Sequence, residues 1–209
     1  MAYSVVGIVN MALQRIGAKS SITSLTDGSV NAVKANMVWE YIRDEVLERV
    51  KPKFATVRVA LSQSSTSPAN AEAYDYAYPI PSDYLCLAPD KKDDPAIWPV
   101  EVAPYVFETL ADGTVCLMTD YDSTSEDYNI YMTYVRKVTD PAKYAPSFIN
   151  CLAFRLAAEL ALSVSESSSK FEAMMQLYLR AVKSAKGASL DQDYLADENG
   201  SNSWETAGR

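Results

Sequence analysis

Three features of the 209-residue sequence predict an α+β protein, mainly α, in which a four-helix bundle carries an inserted β-rich region and ends in an extended C-terminal arm. Apolar residues recur at helical spacing near both ends, short β-rich runs separated by turn residues fill the middle, and an acidic segment closes the chain. The boundaries drawn on this basis are a helical core of residues 1–53 and 145–187, an insert of 54–144 and an arm of 188–209. With 48% hydrophobic residues, a chain of this length buries most of its apolar surface in one core, with or without a small second lobe.

Val5, Ile8, Val9, Ala12 and Ile16 predict a first helix over residues 4–16, and Gly17 stands where a helix stops in a left-handed residue. Asp27, Gly28 and Ser29 offer caps for a long second helix, which ends by Lys51 because Pro52 disfavours helical geometry in the residue before it. At roughly 100° per residue, Val30, Val33, Met37 and Tyr41 form one stripe of this helix. Trp39, Ile42, Val46 and Val50 form another, almost on the opposite side. Either both stripes are buried within one chain, or one meets a neighbouring subunit. On the second explanation the Trp39, Ile42, Val46 and Val50 face is the candidate intersubunit surface.

From Phe54 to Tyr144 the pattern changes, and the runs Phe54–Leu61, Tyr74–Tyr78, Thr114–Thr119 and Tyr128–Val135 read as strands. Tyr74, Tyr76 and Tyr78 alternate with period two, which puts them on one face of a strand, as a half-buried sheet surface or as a ligand platform. Ser62–Ala73 is small, polar and nearly uncharged, and Asp90–Pro99 contains Lys91, Lys92, Asp93 and Asp94; both read as exposed connections.

Pro146 suits a first helical turn, and the segment through Val164 is apolar nearly all round, with Arg155 and Glu159 among the few exceptions, so a central buried helix is predicted. Ser169 and Glu172 have capping-box spacing for a fourth helix. Phe171, Met174, Tyr178 and Val182 form its stripe, and Lys183, Lys186 and Gly187 close it. Beyond Gly187, Asp191, Asp193, Asp197, Glu198 and Glu205 stand against Arg209 alone, a composition that does not build a core. Leu190, Tyr194, Leu195 and Trp204 are its apolar anchors, so the segment either orders against a partner or is an idle tail.

The side-chain inventory argues against catalysis. There is no histidine, hence no ordinary general base near neutral pH and no imidazole metal ligand. Cys86, Cys116 and Cys151 are far apart and odd in number, which suggests buried thiols rather than a disulfide framework or a zinc ribbon. No phosphate-cradling glycine loop, nucleophile elbow or zinc-protease motif occurs. Asp93-Asp94 and Glu126-Asp127 read as solvated turn charges, and Arg43 with Asp44, or Arg155 four residues before Glu159, as helix-surface or interfacial pairs. No catalytic residue, metal or cofactor is assigned.

A net charge of −8 repels a phosphate backbone at long range, so the chain does not grip DNA by counterion release, although it could surround a sliding duplex. No apolar run has the roughly 18 residues needed to span a membrane, and Met1-Ala2-Tyr3-Ser4 lacks the basic start of a signal peptide; an intracellular site of synthesis is the expectation.

Several segments carry a resemblance in their order along the chain. Arg15-Ile16-Gly17-Ala18 closes the first helix, Ile22-Thr23-Ser24-Leu25-Thr26-Asp27-Gly28-Ser29 follows, and Arg43-Asp44-Glu45-Val46-Leu47 lies late in the second. Lys51-Pro52-Lys53-Phe54-Ala55, Tyr78-Pro79-Ile80-Pro81-Ser82-Asp83-Tyr84-Leu85, Tyr134-Val135-Arg136-Lys137-Val138-Thr139-Asp140-Pro141, Phe148 and Arg155-Leu156-Ala157-Ala158-Glu159-Leu160-Ala161 come after. Across most of residues 4–187 this order resembles the head-to-tail adaptor proteins of tailed bacteriophages, also called head completion or tail tubular proteins. One departure is Lys53, where the family pattern has tryptophan.

The resemblance implies a non-catalytic structural protein at the head–tail junction of a virion, made in the bacterial host cytoplasm. It implies a homo-oligomeric ring, a dodecamer, docked beneath the portal protein and followed by a downstream tail or nozzle protein. Double-stranded DNA would pass through without sequence-specific binding. The C-terminal arm, with Leu190, Tyr194, Leu195 and Trp204, would reach the portal. The alternatives are another tail-completion or connector ring, and a small carboxylate-dependent hydrolase, for which two suitably separated carboxyl groups would suffice.

Overall fold

Hydroxyl caps begin the first two helices in this computed structural model, which describes residues 3–65, 74–88, 97–98, 104–122 and 130–198. α1 spans Val5–Arg15, and the Ser4 hydroxyl accepts the Gly7 N–H at 3.1 Å. α2 spans Val30–Val50, and the Ser29 hydroxyl accepts the Ala32 N–H at 3.2 Å. Each bond satisfies an amide that its helix leaves unpaired. Hydrogen bonds from the Ser29 hydroxyl and from the amides of Thr23, Ser29 and Ser24 hold the Asp27 carboxyl well below the usual carboxylate range, so the loop entering α2 is itself hydrogen-bonded.

The ends of these helices use left-handed residues. Gly17 lies at φ +71° just beyond Ile16, the C-cap of α1, its N–H bonded to the Gln14 carbonyl. Lys51 caps α2 at φ 52°, with its N–H on the Leu47 carbonyl, because Pro52 excludes a further helical residue there.

α3 spans Pro146–Ser163 and α4 spans Ser168–Glu198. The cap of α4 is Ser167 rather than the Ser169 expected from the capping-box spacing: the Ser167 hydroxyl accepts the Lys170 N–H at 3.4 Å. The helix also continues past Gly187, the residue at which the sequence pattern predicts its end. Glycine costs a helix interior about 1 kcal/mol, and Ala185, Lys186 and Ala188 beside it, with Leu190, Gln192, Leu195 and Ala196 beyond, are strong helix formers that outweigh one such cost.

The chain divides into two compact units, Met1–Phe54 with Val138–Arg209, and Ala55–Lys137. The insert is therefore shorter than the 54–144 span drawn from the sequence. Residues 138–144 belong with the helices because Tyr144 packs on Phe148 and Phe54, at ring-centroid distances of 5.0 and 5.7 Å, and its hydroxyl donates to the Val138 carbonyl.

Within the helical unit, α3 contacts α1, α2 and α4. Ala153, Ala157, Ala158 and Ala161 are wholly buried along α3, and their small side chains let the neighbouring backbones approach. The Arg15 guanidinium lies 3.7 Å from the centroid of the Phe154 ring and donates to the Asn150 carbonyl and side-chain oxygens, joining α1 to α3. Two lysines satisfy carbonyls at helix C-termini: Lys170 Nζ donates to Ile16 O at 2.6 Å, and Lys34 Nζ to Ser163 O.

The second unit is β-rich. Its described strands are β1 (Thr56–Leu61), β2 (Tyr76–Pro79), β3 (Tyr84–Leu87), β4 (Ile97–Trp98), β5 (Val106–Thr109), β6 (Val115–Thr119) and β7 (Ile130–Arg136). β7 pairs antiparallel with β1, from Thr56↔Val135 to Leu61↔Ile130, and with β3 and β4 along its other edge. β6 is the centre of a second sheet in the order β2-β6-β5. Leu61, Ile97, Ile130, Met132 and Tyr134 of the first sheet share one core cluster with Tyr78 and Leu117 of the second. Alternate residues Ala77, Cys116 and Met118 face the other way, into a cluster with Leu110.

β3, β4 and β5 fall outside the four runs read as strands, since two to four residues are too few to display a period. Nor do the three tyrosines share a face. Tyr76 and Tyr78 pack with the inter-sheet cluster, whereas Tyr74 precedes a bend at Asp75 and packs with the opposite one. Most of the Ser62–Ala73 loop and of the Asp90–Pro99 connection, together with Tyr128, lies outside the described residues.

The two glycines at helix ends yield opposite expectations. Gly17→Ala forces a side chain into a left-handed residue and costs about 1 kcal/mol of unfolding free energy. Gly187→Ala, at a helical residue with no atom within 4 Å of the added carbon, raises helix content and slows amide exchange in the last turns of α4. Denaturant titration and exchange of the two variants check both signs.

Candidate assembly surface

α2 carries two apolar stripes, and the helical unit covers one of them. Trp39 is 5% exposed, Ile42 and Val46 are 0%, and Val50 is 3%, whereas Val30, Val33, Met37 and Tyr41 are 66%, 50%, 79% and 66% exposed. This reverses the assignment made from the sequence: Trp39, Ile42, Val46 and Val50 are core residues of their own chain, on the helix that packs against α3, so they are not the intersubunit face. Ala32 and Ala35, also fully buried, extend the Trp39 stripe by two turns toward the N-terminus. That extension was the available signal, because a face continued by small residues is one against which another helix packs closely. The stripe left bare consists of Val30, Val33, Met37 and Tyr41.

The polar groups under α2 tie helices together. Arg155 Nε contacts both Glu45 carboxylate oxygens, at 3.1 and 3.0 Å, and its Nη1 donates to Glu159 Oε2 at 2.9 Å. Burial opposes the charge of Arg155, and the hydrogen bonds to Glu45 and Glu159 outweigh it, so its pKa is raised. The sequence pattern suggests a helix-surface or interfacial pair for Arg155 and Glu159. The side chain of Arg155 is instead only 11% exposed, because the almost wholly apolar surface of α3 takes it inward.

Tyr178 of α4 lies in the same region, fully buried, with the Arg49 guanidinium 6.0 Å from its ring centroid. Burial, then the charge of Glu45, pushes its hydroxyl up to about 12, and burial pushes the Cys151 thiol up to about 11. Both carboxylates are held by one guanidinium. The arrangement sets the register of α2 against α3.

Arg43 is the other inward charge of α2. It is 2% exposed, its Nε donates to Asp44 Oδ1 at 2.7 Å, and its Nη2 has no hydrogen-bond partner among the described residues. It too was expected at a surface or interface, and it lies beneath the helix because its position falls within the buried stripe.

Of the residues assigned to the arm, Leu190, Tyr194 and Leu195 lie in the last turns of α4, their side chains outside what the structure describes, and Trp204 lies outside the described residues. The pairs Asp93-Asp94 and Glu126-Asp127 lie outside them as well. Among the described residues no group of three or more histidine, cysteine, aspartate or glutamate side chains could hold a metal ion, and no helix is long and apolar enough to cross a membrane. No protein-family model matches the chain, and no curated protein sequence matches it at a significant level.

Charge placed on the two faces of α2 should have different consequences. Ile42→Asp puts an unpaired charge in the core and abolishes folding, whereas Met37→Asp leaves the melting temperature and circular dichroism of the monomer unchanged. Arg155→Ala strips Glu45 and Glu159 of their shared cation in a partly buried setting and costs roughly 2–3 kcal/mol, read from denaturant titration.

Alkaline pH tests the buried tyrosines. Tyr134, Tyr144 and Tyr178 are all pushed up to about 12, by burial in each case, with the Asp83 hydrogen bond adding to it at Tyr134. Folding keeps these phenols neutral, so the stability they contribute is complete below their unfolded value of about 10 and is lost as pH rises through 12. Ultraviolet difference titration should show a late class of tyrosines, and Tyr144→Phe should remove one member of it.

Proposed function

We propose that this chain is a structural virion protein that forms the head-to-tail adaptor ring of a tailed bacteriophage, docking under the portal protein, continuing the DNA channel and carrying the next tail component. The observation that carries the assembly reading is the bare stripe of α2. Four large apolar side chains, each at least half exposed, stand on the side of that helix opposite its core face. They extend over three turns, roughly 16 Å at 1.5 Å per residue. An apolar face of this kind is stabilised by a neighbouring copy or a partner rather than by water. The resemblance in the order of segments from Arg15 to Ala161 supports the particular assembly.

One such stripe is smaller than the roughly 800 Å² per partner of a stable pairwise interface. In this reading the copies hold together because every copy uses two contacts in a closed ring, a dodecamer, and because the portal organises them. The net charge of −8 disfavours a tight grip on DNA, as a conduit requires. The work of the protein is binding, with no catalytic step and no cofactor.

The arm retains its role in this proposal in altered form. Leu190, Tyr194 and Leu195 ride on the end of α4, Trp204 follows, and together they are the anchors offered to the portal. Native mass measurement with and without portal tests the whole reading: the expected product with portal is a ring of twelve copies, and Met37→Asp should abolish it. No association with portal in any stoichiometry would overturn the proposal. Truncation after Gly187 should leave the melting temperature of the core nearly unchanged and weaken portal attachment; equal attachment would remove the arm from the account.

A further inference from the structure

We draw no further inference here: the strongest candidate, the exposed stripe of Val30, Val33, Met37 and Tyr41 on α2, belongs to the assembly surface already proposed, and nothing in the structure shows what covers it.

Discussion

Burying α3 is the constraint on which the helical unit depends. Ten of its eighteen residues are buried, from Phe148 to Ala161, and they point in every direction around the axis, so no single neighbour can cover them. α1, α2 and α4 each take a share. Large buried side chains contribute about 1.5–3 kcal/mol each, and Phe148, Ile149, Leu152, Leu156 and Leu160 supply five of them from this one helix. The alanines at 153, 157, 158 and 161 decide how closely the neighbours approach, and the polar contacts are then arranged around the result. Arg15 on Phe154 and Asn150, and Arg155 on Glu45, hold α1 and α2 at fixed positions along a surface that is otherwise uniformly apolar and would permit sliding.

That uniformity explains why charged groups are taken inward. A guanidinium in a buried position is costly unless its donors are satisfied. Arg155 meets this condition with three carboxylate contacts and gains geometric selectivity from the fork. Arg43 meets it only in part, through Asp44. The two arginines therefore differ in kind: one orders the packing of α2 on α3, and the other, the more deeply buried, is carried beneath α2 by its place in the buried stripe.

In the β-rich unit the comparable constraint is β7. It accepts partners along both edges, and its alternate residues Ile130, Met132 and Tyr134 supply one wall of the core between the sheets. A strand with partners on both sides has no free hydrogen-bonding edge, and its length lets the shorter β3 and β4 be specified by pairing rather than by their own patterns. Tyr134 shows the same economy at a single residue: the ring fills the core and the hydroxyl donates to Asp83 at 2.8 Å.

Local physics determined much of this protein from the sequence alone. The mixed α+β class, the cap at Ser29, the stops at Gly17 and Lys51, and the central burial of α3 all follow from interactions within a few residues or from a period long enough to see. The short strands did not: β3 and β4 pair with the distant β7, and β5, although it pairs with the neighbouring β6, has only four residues, too few to show a period. The cap of α4 and its passage through Gly187 were also closed to pattern reading, since competing local signals there differ by only about 1 kcal/mol. Above all, the sequence determined that α2 has two apolar faces but not which one is core. Hydrophobicity specifies what a side chain avoids, and only the tertiary packing of the chain decided that the face of Ala32, Ala35, Trp39 and Ile42 escapes water while the other remains exposed to it.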